Sequence, residues 1–299
     1  MGDAAHPARL IRLSDGRRIN LRCAGPNRGP TVLLEGGFAA PSTGWYKVAP
    51  LLDRTHRVCA YDRAGYGFSD PGPMPRDGAA VVRDLDETLK IAKIAGPFVM
   101  VGHSAGGLYV RIFADERPGD VVGMVLVDPS VEHQDARFAA VFGKGAVGVS
   151  PLRTRAVLCL AAAKKGALPS HDPALVACGP KPGVSPAEAA QARNPANWLT
   201  EISELDTLWT STSDEIDAGR QTYGAMPLVV LTADGSYARA PPAARADLAS
   251  VWAELHRQVA VRSTRGSAQL VKGSSHMMIF DRPDAIAAAV NEVISAAGR

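Results

Sequence analysis

The sequence predicts an α/β fold: a mostly parallel central sheet flanked by helices, with a helical cap inserted before the last strands. Three observations carry this expectation. Short apolar runs alternate with amphipathic stretches along residues 31–127, as in strands whose two faces are covered by crossover helices. Residues 131–225 break the alternation, and it resumes at Pro227. Finally, Gly102-His103-Ser104-Ala105-Gly106 stands between an apolar run and a helix-like stretch. That is the strand–turn–helix setting in which a Gly-x-Ser-x-Gly serine is held exposed on a sharp turn.

The elements follow in order. Residues 8–24 read as two strands around a turn at Ser14-Asp15-Gly16. Thr31-Val32-Leu33-Leu34 and Arg57-Val58-Cys59-Ala60-Tyr61 are short apolar strands. Residues 79–94 carry helical periodicity through Val81, Val82, Leu85, Leu89 and Ile91. The run 97–101 leads into Ser104, residues 107–114 form the helix behind it, and 121–127 is another buried strand ending at Asp128. From 131 to 225, helix-like pieces alternate with Pro/Gly/Ser-rich joints at 168–173 and 179–186. After the cap come a strand at 227–231, a helix from about 242 to 261, a last strand at 268–271 and a loop bearing His276. Pro283 opens the terminal helix, a favoured place for proline. The core is thus 1–130 and 226–299, and the cap 131–225.

The chain has 299 residues, 46% of them hydrophobic, and a formal net charge of +3. This suits one large domain. The scattered arginines give no nucleic-acid footprint. No apolar stretch approaches membrane-spanning length, and the N-terminus lacks the basic and apolar regions of a secretory signal. A cytoplasmic protein is expected, and a homodimer is compatible with the composition. Cys23 and Cys59 read as small buried apolar residues. Cys159 and Cys178 could pair in an oxidising compartment, but free thiols in a reducing one are the expectation. No Cys/His spacing suggests a metal, and no cofactor is implied.

A serine hydroxyl needs a base to become a nucleophile at neutral pH. Among seven histidines, His276 stands just past a strand end, where functional groups gather in open α/β sheets. A base needs an acid to orient it. Asp128 and Asp234 both follow strands and both fit the order Ser, acid, His.

These motifs resemble the α/β-hydrolase superfamily over the whole chain. Gly102-His103-Ser104-Ala105-Gly106-Gly107 looks like its nucleophile elbow. Residues 61–70, Tyr-Asp-Arg-Ala-Gly-Tyr-Gly-Phe-Ser-Asp, look like its D-R-x-G-x-G-x-S loop. Ser275-His276 with Asp281-Arg282-Pro283-Asp284 looks like its histidine loop and last helix. The resemblance implies the α/β-hydrolase fold. Most members carry the acid after the strand that follows the cap, near Asp234. A subset, including haloalkane-dehalogenase-like members, carries it one strand earlier, where Asp128 stands, and Asp128 is preferred. Asp62 is expected to tie its turn to a neighbouring loop.

The oxyanion hole is expected at the backbone N–H groups of Ala105 and Phe38, with Gly37 as the alternative. Relatives have His-Gly where this chain has Glu35-Gly36-Gly37-Phe38. Phe38, His103, Trp198, Trp209 and Met277 are expected around the substrate pocket. The implied activity is hydrolysis of a small carboxylic ester or related acyl compound through Ser104, His276 and Asp128. A serine at the elbow argues against dehalogenase or epoxide hydrolase chemistry, which uses aspartate there. The alternatives are a proline-iminopeptidase-like aminopeptidase using cap acids (Glu201, Glu204, Asp206, Asp214, Glu215), a hydroxynitrile-lyase-like enzyme, and a non-catalytic receptor on the same fold.

Overall fold

The computed structural model describes residues 4–143, 151–169, 171–179 and 186–298. Ser170 and residues 180–185, parts of the two expected joints, lie outside the described residues. Eight strands form one sheet: β1 (Arg9–Arg12), β2 (Arg18–Ala24), β3 (Thr31–Glu35), β4 (Val58–Tyr61), β5 (Phe98–His103), β6 (Val121–Val127), β7 (Leu228–Ala233) and β8 (Gly266–Val271). The spatial order is β1-β2-β4-β3-β5-β6-β7-β8. β2 is antiparallel to both neighbours, and from β4 to β8 every pairing is parallel. The carboxyl ends of β3, β5, β6 and β7 therefore open on the same edge.

The central strands are apolar throughout because helices cover both of their faces. Period-two alternation divides their side chains. Phe98 and Met100 of β5 join the core beneath helices α2 (Gly78–Ala92), α3 (Gly106–Glu116) and α9 (Pro242–Ala260). Val99 and Val101 join the core beneath α1 (Ala49–Leu52) and α11 (Pro283–Ala297). Helix α2 starts where the Asp77 carboxylate accepts the Ala80 N–H, capping a free amide. It buries Val81, Val82, Leu85, Leu89 and Ala92, but leaves Ile91 exposed.

Between β6 and β7 lie helices α4 (Gln134–Phe142), α5 (Pro151–Lys164), α6 (Pro186–Gln191), α7 (Pro195–Thr207) and α8 (Ser211–Ala218), with no strand among the described residues. Ala156, Cys159, Ala162, Ala163, Leu168, Cys178 and Trp198 make a small apolar cluster of their own within this insertion. The short helix α10 (Met278–Asp281) follows the loop of His276.

The structure corrects the expectation of free thiols. Cys23 and Cys59 face each other across the β2–β4 ladder and are bonded. Cys159 of α5 is bonded to Cys178. Disulfides persist in oxidising compartments, so the bonded cysteines lend the cytoplasmic expectation no support. Among the described residues, no helix is long and apolar enough to cross a membrane.

Candidate active site

Ser104 occupies the turn between β5 and α3 with φ at +53°. A left-handed conformation costs a non-glycine residue free energy and persists only where surroundings hold it. Here the Ser104 N–H donates to the Val127 carbonyl, and its own carbonyl accepts from Gly107 and Ser130. The flanking glycines are required by close approach. A Cβ on Gly102 would meet the Gly106 carbonyl oxygen at 2.5 Å, and one on Gly106 would meet the carbonyl oxygens of Glu35 and Gly36 at 2.6 and 2.7 Å.

His276 comes to Ser104 from the loop after β8. Its Nε2 lies 2.9 Å from Ser104 Oγ and its Nδ1 2.7 Å from Asp128 Oδ2. A carboxylate can only accept, so Nδ1 carries the proton and Nε2 is left to accept from the serine hydroxyl. Asp128, at the end of β6, is wholly buried. Its Oδ1 accepts from Ala233 N and Trp252 Nε1, both at 2.9 Å, and its Oδ2 also accepts from Ser236 Oγ at 2.6 Å. Burial pushes the Asp128 carboxyl up, but the His276 hydrogen bond and charge hold it below the ordinary carboxylate range.

Asp234 stands elsewhere. Its carboxylate accepts the backbone N–H groups of Gly273 and Ser274 at 3.1 and 3.2 Å. It braces the loop that carries His276, and the geometry puts Asp128, not Asp234, on the imidazole. His103 is buried and fixes the same loop from below, with Nε2 2.8 Å from the His276 carbonyl oxygen. Burial, helped by the neighbouring His276, pulls His103 down to about 4, so this ring is neutral and Nε2–H is the donor. Asp62 ties its turn to neighbouring loops, accepting from Ser42 N, Phe68 N and Asn20 Nδ2.

Neither the Ala105 nor the Phe38 N–H has a protein acceptor among the described residues. Both flank Ser104, Ala105 as its chain neighbour and Phe38 across the cavity wall. Sequence reasoning missed what holds the Phe38 segment. Arg63, buried in the 61–70 loop, donates to the carbonyls of Gly36 and Gly37, both at 2.8 Å. It also donates to Glu35 Oε1 at 2.7 Å, and to Glu204 Oε1 and Oε2 at 2.8 and 3.1 Å. The signal was present in the sequence: a glutamate ends an apolar strand, and a buried carboxylate demands a cation. Trp252 and Ser236, which hold Asp128, left no comparable trace.

A cavity of about 900 Å³ opens on Ser104. Phe38, His103, Trp198 and Met277 line it, together with Glu201 and Cys178. Trp209 does not. It lies two residues past the end of α7 and packs partly buried against the core beneath α2 and α3. Among the described residues, no group of three or more His, Cys, Asp or Glu could hold a metal ion.

Comparison with known proteins agrees with this architecture. The model of the family described as "Alpha/beta hydrolase family" matches residues 32–289. An "AB hydrolase superfamily protein" of Gibberella zeae is 33% identical over 143 residues, 44% of this chain and 42% of that protein. The chain spans less than half the length of the curated relatives it matches. Among solved structures, DBJA (mutant dbja delta) superposes with a TM-score of 0.67 at 19% identity, over 97% of this chain and 98% of that one. An alpha/beta hydrolase fold protein from Burkholderia ambifaria gives 0.62 at 22% identity, over 96% and 99%. At such identities the likeness is one of fold.

Proposed function

Because the chain belongs to the alpha/beta hydrolase family, we propose that it is a serine hydrolase of small carboxylic esters, with Ser104 as nucleophile, His276 as base and Asp128 as acid. One observation carries the reading: the unbroken hydrogen-bonded series Asp128–His276–Ser104 faces a cavity with largely apolar walls. Ser104 Oγ attacks the ester carbonyl as its proton passes to His276 Nε2. Asp128 stabilises the imidazolium that forms. The tetrahedral oxyanion is met by the N–H groups of Ala105 and Phe38. The C–O bond breaks, and the alkoxide leaves with the proton from His276. Water, deprotonated by the same nitrogen, attacks the acyl-enzyme, and the acid leaves as Ser104 is reprotonated. The insertion acts as a cap, with α5, α6 and α7 roofing the acyl or alcohol side of the substrate.

The aminopeptidase alternative is less well supported. Glu204 is taken up by Arg63 and Tyr66, Asp206 pairs with Arg153, and Glu215 accepts the Ala79 N–H. Of the acids that reading requires, Glu201 alone lines the cavity.

The test is turnover of p-nitrophenyl esters and fluorophosphonate labelling. Ser104→Ala should abolish the label and lower kcat by about 10⁴-fold or more. Near-wild-type turnover by this variant would remove the nucleophile assignment.

A further inference from the structure

We propose that Arg63 and Glu204 are positioning residues that couple helix α7 to the oxyanion-binding amide of Phe38. The inference rests on the serine-hydrolase reading and deepens it.

The guanidinium of Arg63 uses all five of its N–H donors. Nε and Nη2 take the two Glu204 oxygens, Nη1 takes Glu35 and the Gly36 carbonyl, and Nη2 also takes the Gly37 carbonyl. The plane of the guanidinium is fixed as well. Its carbon lies 5.2 Å from the ring centres of both Tyr66 and Tyr109. Tyr66 Oη in turn donates to Glu204 Oε2 at 3.0 Å. Because a trans peptide is planar, its C=O and N–H point in opposite directions. Holding the Gly37 carbonyl toward Arg63 therefore aims the Phe38 N–H the other way, toward the cavity. Holding the Gly36 carbonyl does the same for Gly37. A lysine has no planar fork and cannot reproduce this pattern.

Glu204 belongs to α7, in the insertion, and is itself fully buried. The same helix sits hard against the Arg63 loop. A Cβ on Gly65 of that loop would lie 2.1 Å from Thr200 Oγ1, and just past the loop Ser203 Oγ accepts the Arg76 N–H and Thr207 Oγ1 lies 3.2 Å from the Arg76 carbonyl oxygen. Trp198, one face of α7, lines the cavity. The aim of the oxyanion donor thus depends on how the substrate-facing helix is seated.

The experiment compares wild type, Glu204→Gln and Arg63→Lys, with kcat expressed per active site titrated by fluorophosphonate so that unfolded molecules are not counted, and Ser104→Ala, which takes no label, with kcat expressed per mole of folded protein. An aryl trifluoromethyl ketone, which forms an oxyanionic hemiketal on the serine, probes the hole. A non-reacting alcohol product probes the cavity alone. Glu204→Gln should lower kcat and ketone affinity together by about 10-fold, and Arg63→Lys by about 100-fold. KM and alcohol affinity should stay within about threefold of wild type. Parallel loss of alcohol and ketone affinity would mean that the pair only shapes the cavity, and would overturn the proposal. Wild-type kcat and ketone affinity in both variants would also overturn it while leaving the serine reading intact, whereas an active Ser104→Ala would defeat that reading itself.

Discussion

Asp128 and Asp234 are the same residue type at the ends of adjacent parallel strands, yet they have different tasks. Asp128 carries four hydrogen bonds, one from the imidazole. Asp234 carries two, both from backbone amides of the His276 loop. Asp128→Asn should lower kcat by about a hundredfold or more, since an amide stabilises imidazolium poorly and can hold the wrong tautomer. Asp234→Asn should leave kcat within about threefold and instead destabilise the loop by about 1 kcal/mol. Steady-state kinetics on one ester, with urea unfolding of both variants, separates the two roles. Equal losses of kcat would contradict the assignment made from the hydrogen bonds.

At the scale of elements, the meeting of β5 with α3 is the most constrained join in the chain. Gly106→Ala puts a methyl group against two backbone carbonyls of β3 and its following loop, and backbone cannot step aside as a flexible side chain can. Destabilisation of about 1–3 kcal/mol is expected, with a fall in turnover as Ser104 is displaced. Thermal melting should register the first effect, and a variant as stable as wild type would show that the join is slacker than its geometry implies. Much of this join was legible beforehand, because its glycine spacing is local. The bounds of α2 and α9 were legible to within a residue or two, because the patterns that predict them are likewise local. The outward side of Ile91 and the inward turn of Trp209 were not, since a helix's apolar stripe does not reveal what lies opposite it.

For the whole molecule, two buried histidines each lower stability on the approach to acid. Burial pulls both His103 and His256 down to about 4. His256 is satisfied as the neutral ring, held between Thr232 Oγ1 and the Pro129 carbonyl. With folded values below the unfolded one, the unfolded chain binds protons first as the pH falls. Their contribution to stability is therefore full above about pH 6.5 and declines toward pH 4. Glu215 works the other way, because burial pushes its carboxyl up to about 7 and the folded chain takes its proton first over part of the same interval. Between pH 7.5 and 5.5, each histidine should remove ~1.3 kcal/mol. Urea unfolding of wild type and His256→Gln at the two pH values isolates one share, and the variant should lose ~1.3 kcal/mol less than wild type over the interval. An equal change in the two proteins would contradict the buried, neutral state of His256. The disulfides give a second whole-molecule check. Denatured but unreduced protein should take up no alkylating reagent, and reduced protein should take up four equivalents, one for each cysteine. Reduction should destabilise the insertion, where the 19-residue Cys159–Cys178 loop stabilises by ~3 kcal/mol in the chain-entropy account.

The sequence by itself determined the parallel sheet, the helical insertion, the serine on its turn and the histidine past the last strand, because each is written in residues close along the chain. It narrowed the acid to two strand ends and went no further. Only the tertiary structure decided which carboxylate reaches the imidazole, that Cys23 meets Cys59 across a ladder, and that Arg63 joins Glu35 to Glu204, which lies 141 positions past the arginine. These pairings depend on strand register and on how the insertion returns to the core. Distances between residues remote in sequence are set by packing, which local spacing does not encode.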